Sequence, residues 1–414
     1  MGCFIEMDNK VAPIDTKNPM DSIDSMSSIN TKNILITGGC GFIGVNLVDF
    51  LLGKGISKLR IHDNLSIGRP EYLESVLNSH GQVVKSFVDD KRIVYIVKIS
   101  NQHQTNATNS INSINPINSI DQIRIELIVG DIRDKGTCLN ATKDIGSVVH
   151  LAAHAGIIPS IQNPFYDFEV NVLGTLNLLH ASVANKIDKF IFASSNAPLG
   201  NQNPPLNEMK VPKPLSPYGA SKLACEGYCS AFYGSYGLKT VSLRFSNAYG
   251  PYSLHKNSVI AKFIKDGIIK KKLTIYGDGT QTRDFIHVDD ICNAIYTILT
   301  FDDFFTTKIN PTNSIDSKSS IWGETFHLGT GKETSIILLA EYAMELFRED
   351  VKIIFEPLRK GEISRNYSEI SKARRIFGFN PQVDFARGLK EVYEWFMSTD
   401  YEGLRNSVIL SGSE

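Results

Sequence analysis

The sequence predicts an α/β protein: a doubly wound parallel sheet joined to a smaller, mixed C-terminal lobe. Three features predict it. Short apolar runs rich in β-branched residues alternate with helical patterns as far as residue 245. A glycine cluster stands between the first run and the first helix. Beyond residue 246 the alternation gives way to irregular, mixed patterns.

Taken in chain order, strands are expected at 33–37, 59–62, 125–129, 147–151, 190–193 and 240–245. Runs this apolar suit a sheet covered on both faces. Helices at 42–52, 168–184 and 218–236 supply cover, the last led in by Ser216-Pro217, a favourable cap and first helical residue. Further helices are expected near 256–270, 289–300, 334–348 and 384–398. Residues 1–32, about 85–124 and about 302–321 are rich in Asn, Ser, Ile, Thr and Asp, with recurring Asn-Ser-Ile tripeptides. Such low-complexity stretches bury no continuous apolar face, so they are expected to be a tail and two surface-loop expansions.

Composition narrows the function. A net charge of −1 over 414 residues leaves no basic footprint for nucleic acid. No apolar run reaches the roughly 18 residues that span a bilayer, and the start lacks the pattern of a secretory signal. Met1-Gly2-Cys3 opens like a myristoylation site, but Glu6 stands where Ser or Thr is required. The six cysteines are too sparse for a disulfide scaffold, and Cys225 and Cys229, though helically spaced, have no partners completing a metal site. A soluble, cytoplasmic protein without a metal is expected.

The segment ILITGGCGFIGVNL places glycines between strand and helix, with Gly39, Gly41 and Gly44 in GxGxxG spacing and Gly38, Gly41 and Gly44 in GxxGxxG spacing. Glycines there allow a tight turn and close approach to a pyrophosphate at the positive end of the helix. Asp63 ends the next strand, nineteen residues after Gly44. A carboxylate there accepts bonds from a ribose and repels a 2′-phosphate, which favours NAD over NADP. The dinucleotide-binding, Rossmann-type domain is expected at 33–245, a substrate lobe at 246–398 partly interleaved with it, and a tail at 399–414. The cofactor is expected to touch Gly38, Gly41, Phe42, Ile43, Gly44, Asp63 and Asn64, then Asp131 and Ile132 of GDIRD and Leu151, Ala152 and Ala153 of HLAA. All of these fall at carboxyl ends of strands.

The fifth strand delivers Ser194 and Ser195 to the same edge, and Tyr218 and Lys222 follow one helical turn apart. A YxxxK pair by itself is as well read as a solvated surface pair. Beside a dinucleotide loop it becomes a proton-transfer site, because a lysine ammonium and a positive nicotinamide ring both favour the phenolate. Tyrosine ionises near a pH of about 10, so such a base must be shifted downward. Ser195 can hydrogen-bond the oxygen that loses its proton.

With TGGCGFIG, DNLS, GDIRD, HLAA, FASS, SPYGASK, LRFSNAYGP and LTIYGDGTQTRDFIHVDD in place, the chain resembles the extended short-chain dehydrogenase/reductase family. Within it, the sequence is similar to NAD-dependent nucleotide-sugar epimerases of the UDP-glucose 4-epimerase type over residues 33–396. The resemblance implies Ser195, Tyr218 and Lys222 as catalytic residues, with Asn171, Ser194 and Phe245 against the cofactor. It implies Asn247, Arg283 and Arg359 on the substrate diphosphate, Val259 and Tyr276 near the nucleotide, and Ser160, Ser195 and Asn366 near the sugar. The partners implied are a UDP-sugar and a second copy of the chain, paired through 168–184 and 218–236. Pro198 and Leu199 depart from the valine and tyrosine usual in the family, and Ala155 from a lysine.

Inversion at C4 of a UDP-sugar through a 4-keto intermediate is the activity implied. A 4,6-dehydratase would carry an Asp-Glu pair where Asn196 and Ala197 stand, and a UDP-glucuronate decarboxylase a glutamate in the same region. A dinucleotide-sensing protein without activity is the third reading, although such proteins usually lose the Tyr or the Lys.

Overall fold

The computed structural model describes residues 33–99, 122–301, 320–347, 351–358 and 363–398. The tails, most of the two low-complexity insertions and Arg359 lie outside the described residues. The chain runs β1 (Ile34–Thr37), α1 (Phe42–Gly53), β2 (Lys58–Asp63), α2 (Pro70–His80), β3 (Gln82–Asp89), β4 (Arg92–Lys98), β5 (Gln122–Val129), α3 (Lys135–Thr142) and β6 (Ser147–His150). It continues through α4 (Ile157–Gln162), α5 (Pro164–Asp167), a π-helical turn (Phe168–Leu173), α6 (Gly174–Ala184), β7 (Lys189–Ser195), α7 (Pro217–Tyr236) and β8 (Lys239–Phe245).

Then follow β9 (Asn247–Tyr249), α8 (Val259–Lys270), β10 (Lys272–Tyr276), β11 (Thr282–Arg283), β12 (Phe285–His287) and α9 (Val288–Leu299). Last in order are β13 (Thr325–Leu328), β14 (Thr334–Ser335), α10 (Ile336–Leu346), β15 (Lys352–Glu356), α11 (Ser371–Phe377) and α12 (Phe385–Ser398).

Nine strands form one sheet in the order β13-β8-β7-β6-β1-β2-β5-β4-β3, parallel except where β4 meets β5 and β3. The strand order reverses direction at β1, beside β6, and ligand crevices in doubly wound sheets open at such a point. Alternate residues on each strand feed separate cores. Ile34, Ile36, Ile61, Ile191 and Leu243 pack under α1, α2 and α9, while Leu35, Val148, Phe190 and Phe192 pack under α3, α6 and α7. A third core gathers Phe263, Ile275, Phe285, Leu339 and Phe396.

One expectation needs correcting. The stretch from residue 85, read as the opening of a surface loop, instead completes the β3–β4 hairpin that extends the sheet. Arg92–Lys98 is β-branched and aromatic rather than Asn/Ser-rich, and it buries Val94, Tyr95 and Val97. Ile321, placed within the second insertion, is likewise fully buried in the core. The helix expected at 168–184 opens as a π-turn, a form frequent at functional sites.

Candidate active site

Sterics set the glycine turn. Gly38 has a φ of +68°, and a Cβ there would meet the Ala152 backbone nitrogen at 2.8 Å. A Cβ on Gly44 would collide with the Gly38 carbonyl oxygen, so only glycine lets α1 begin directly against the turn. Gly41 is the N-cap of α1 and supplies no side-chain cap, leaving the first-turn amides of Phe42, Ile43 and Gly44 aimed out of the helix end. Asp63, 7% exposed, accepts the Cys40 amide at 3.0 Å and the Leu65 amide at 2.9 Å, one on each oxygen. Burial pushes its carboxyl upward while these bonds oppose the rise. Each oxygen keeps a second lone pair. A bare cradle at a helix N-terminus and a carboxylate with spare acceptor capacity fit a dinucleotide.

Beyond Asp63, Asn64 donates to Asp131 at 3.1 Å. Burial alone would raise the Asp131 carboxyl, but bonds from Arg133 and Asn64 outweigh it and hold the group down at about 2. Ile132 packs in the core and its carbonyl accepts from Asn177. Leu151 and Ala152 are tied to Thr37 through its carbonyl and its hydroxyl. That hydroxyl also meets His150 Nδ1 at 2.7 Å, and His150 Nε2 meets Thr175 at 2.9 Å. Sequence reasoning missed this buried relay.

Asn171 is a clamp. Its amide oxygen accepts the His154 amide at 2.8 Å while its nitrogen donates to the His154 carbonyl at 3.0 Å and to Asp167 at 2.9 Å. The clamp fixes the loop after β6, which carries Ala153. Its side chain is therefore spent within the protein rather than turned to a cofactor. Asp167, fully buried, also accepts from Ser221 at 2.6 Å.

Register brings the candidate catalytic residues together. Ser195 pairs with Phe245 at the ends of β7 and β8. Helix α7 starts at Ser216, whose hydroxyl accepts the Gly219 amide, and crosses this edge with Tyr218 and Lys222 one turn apart. The Ser195 hydroxyl accepts the Ala197 amide at 3.2 Å and lies on the side of the Tyr218 phenol, where it favours the ionised form. Lys222, 3% exposed, donates to the Ala193 carbonyl at 2.8 Å, and its Nζ lies 5.7 Å from the Tyr218 ring centre. Burial lowers the lysine. Burial also pushes the Tyr218 phenol up to about 12, with the Ser195 hydroxyl opposing the rise and Asp167 adding to it. The downward shift expected from the sequence is thus absent in the protein by itself.

The Ser194 hydroxyl donates to Glu226 at 2.5 Å. Ser160 is fully buried, and its hydroxyl donates to the Ile157 carbonyl at 2.7 Å. The exposed Asn247 begins β9, and its backbone N–H donates to the Asp284 carbonyl. Arg283 donates to the Thr282 and Ile363 carbonyls, at 2.8 and 2.7 Å. Tyr276 closes β10 with Lys262 Nζ 5.6 Å from its ring, and Val259 opens α8. Asn366 keeps a buried amide oxygen without a partner. Asp284 gathers this group, accepting from Thr330, Gly331 and Ser368.

A Rossmann-type sheet with a Ser-Tyr-Lys edge beside a dinucleotide cradle defines a class of enzyme. The chain belongs to the NAD dependent epimerase/dehydratase family, whose sequence pattern matches residues 34–309, and NAD is its cofactor. The UDP-glucose 4-epimerase of Mycolicibacterium smegmatis is 28% identical over 367 residues, 87% of this chain and 97% of that protein. The solved UDP-N-acetylglucosamine 4-epimerase from Methanobrevibacter ruminantium M1, in complex with UDP-N-acetylmuramic acid, is similar at a TM-score of 0.69 and 30% identity, covering 89% of this chain and 99% of that one. A dTDP-glucose 4,6-dehydratase from Streptomyces venezuelae, solved with NAD and TYD bound, has a TM-score of 0.69 at 26% identity, covering 90% and 99%. Among the described residues no helix is long and apolar enough to cross a membrane.

Proposed function

We propose that this enzyme inverts C4 of a UDP-sugar, glucose/galactose or an N-acetyl or uronic analogue, through a transient 4-keto sugar. The observation that carries the reading is the juxtaposition at the carboxyl edge of the sheet: Ser195 ends β7 beside helix α7, which carries Tyr218 and Lys222 one turn apart. NAD supplies a reversible hydride acceptor and a positive ring. The protein's part is proton transfer and orientation. Tyr218 takes the proton from the C4 hydroxyl and later returns it, while Ser195 holds the same oxygen. Lys222, tied to the Ala193 carbonyl, keeps a cation beside the phenol. Asn247, Arg283 and Arg359 are assigned to the diphosphate, since an arginine fork suits phosphate oxygens. The unpartnered amide oxygen of Asn366 is an acceptor suited to a sugar N–H or O–H. Two copies are expected to pair through helices carrying the exposed Phe168, Tyr228 and Tyr236.

Elimination of water calls for an acid after Ser195, where Asn196 and Ala197 stand. Asn196 is also buried, its amide engaged with His327 and Ser368. Purified protein incubated with UDP-glucose, UDP-N-acetylglucosamine and UDP-glucuronate, followed by NMR, tests the reading. A mixture of C4 epimers at unchanged mass is expected. Loss of water or of carbon dioxide would assign the protein to the dehydratases or decarboxylases instead, and no turnover of any sugar to a sensing role.

A further inference from the structure

Ser195 is flanked by two residues that face into the protein. On one side, Ser194 donates to Glu226, which forms a bidentate pair with Arg244 at 2.8 and 2.7 Å. On the other side, Asn196 Oδ1 lies 2.9 Å from His327 Nδ1. The two sides meet, because Ser194, Arg244 and His327 are register partners across β7, β8 and β13. Arg244 Nη1 stands 3.4 Å from His327 Nε2.

The chemistry assigns every proton in this chain. A guanidinium has only donors, so His327 Nε2 is the acceptor and Nδ1 carries the hydrogen, donated to Asn196 Oδ1. A neutral ring is required, and burial together with the Arg244 charge lowers His327 to about 3. Asn196, its oxygen used, donates through Nδ2 to Ser368 at 3.0 Å and Ser246 at 3.3 Å. Those hydroxyls lie 2.8 Å apart, and Ser246 donates to Asp284 at 3.4 Å. Asp284 follows Arg283, and Ser368 lies two residues beyond Asn366. Every member is at most 9% exposed.

We propose that His327 and Asn196 are positioning residues: together they hold the Ser195 hydroxyl in reach of Tyr218 and lock that strand end to the segments carrying Arg283 and Asn366. The turnover half of this inference rests on the epimerase reading above. The mechanical half does not.

The test compares His327→Leu, Asn196→Ala, the double variant and His327→Asn, all as holoenzyme. Asparagine can place an amide N–H near the position of the imidazole Nδ1 and so keeps the bond to Asn196. Hydrogen–deuterium exchange, which needs no substrate, should show faster exchange over residues 195–199 in His327→Leu and protection recovered in His327→Asn. For the UDP-sugar that the wild type turns over, His327→Leu and Asn196→Ala should each lower kcat about tenfold or more, with KM and bound NAD little changed. The double variant should be no worse than either single one, and His327→Asn should recover most of the loss. Unchanged exchange in a folded His327→Leu protein overturns the proposal, as do additive losses or a fall confined to KM. A wild type that turns over no sugar defeats the epimerase reading alone, and exchange then decides this one.

Discussion

Tyr218 sits where the protein opposes its ionisation. Burial and the nearby Asp167 raise it, and the Ser195 hydroxyl only partly compensates. A phenol held near 12 is a poor base at neutral pH, so its competence depends on positive charge brought into the site beside Lys222. Replacing the hydroxyl isolates that function. Tyr218→Phe should keep the NAD cradle, which is built from α1 and Asp63, and lower turnover by about a hundred- to ten-thousand-fold. Cofactor released on denaturation, measured beside kcat, checks it. Near-normal turnover would place the proton acceptor elsewhere.

Helix α7 and strands β7, β8 and β13 form a unit around a buried ion pair. Arg244 and Glu226 have side chains only 5% and 6% exposed, and Glu226 also binds Ser194. Deleting one partner leaves an uncompensated buried charge, so Glu226→Ala should destabilise by about 3–5 kcal/mol. Thermal and urea unfolding measure this. A loss below about 1 kcal/mol, the value usual for exposed pairs, would mean that water reaches the pair. The same unit explains why Lys222 is so well fixed. It lies one turn before Glu226, its ammonium tied to the carbonyl of Ala193 next to Ser194.

Across the molecule, buried histidines govern the response to acid. Burial lowers His62, His255 and His287 to about 4 and His150 and His327 to about 3. Their unfolded values lie near 6.5. Below that pH the unfolded chain binds protons that the folded one refuses, so stability is present above pH 6.5 and falls as pH drops toward the folded values. Each such group contributes up to about 1.4 kcal/mol per pH unit. The urea midpoint should therefore be clearly lower at pH 5 than at pH 7. An equal or higher midpoint at pH 5 would mean that these rings are protonated in the folded state.

The sequence by itself determined what depends on neighbours along the chain. The glycine turn, the capped start of α7, the Tyr218/Lys222 spacing and the alternation of strand and helix are local patterns, and each is found in the fold. The Arg92–Lys98 strand was not foreseen: its β-branched residues mark it, but the Asn/Ser-rich run beyond it set the expected loop boundary too early. The tertiary structure alone decided where side chains point after distant strands come into register. Ser194 and Ser195 are adjacent in sequence, yet strand alternation sends one to Glu226 and the other to Tyr218. Likewise, Asn196 meets His327 only because β13 pairs with β8 and β8 with β7. Contacts between residues more than a hundred positions apart follow from sheet order and burial, and neither is written in any short stretch of chain.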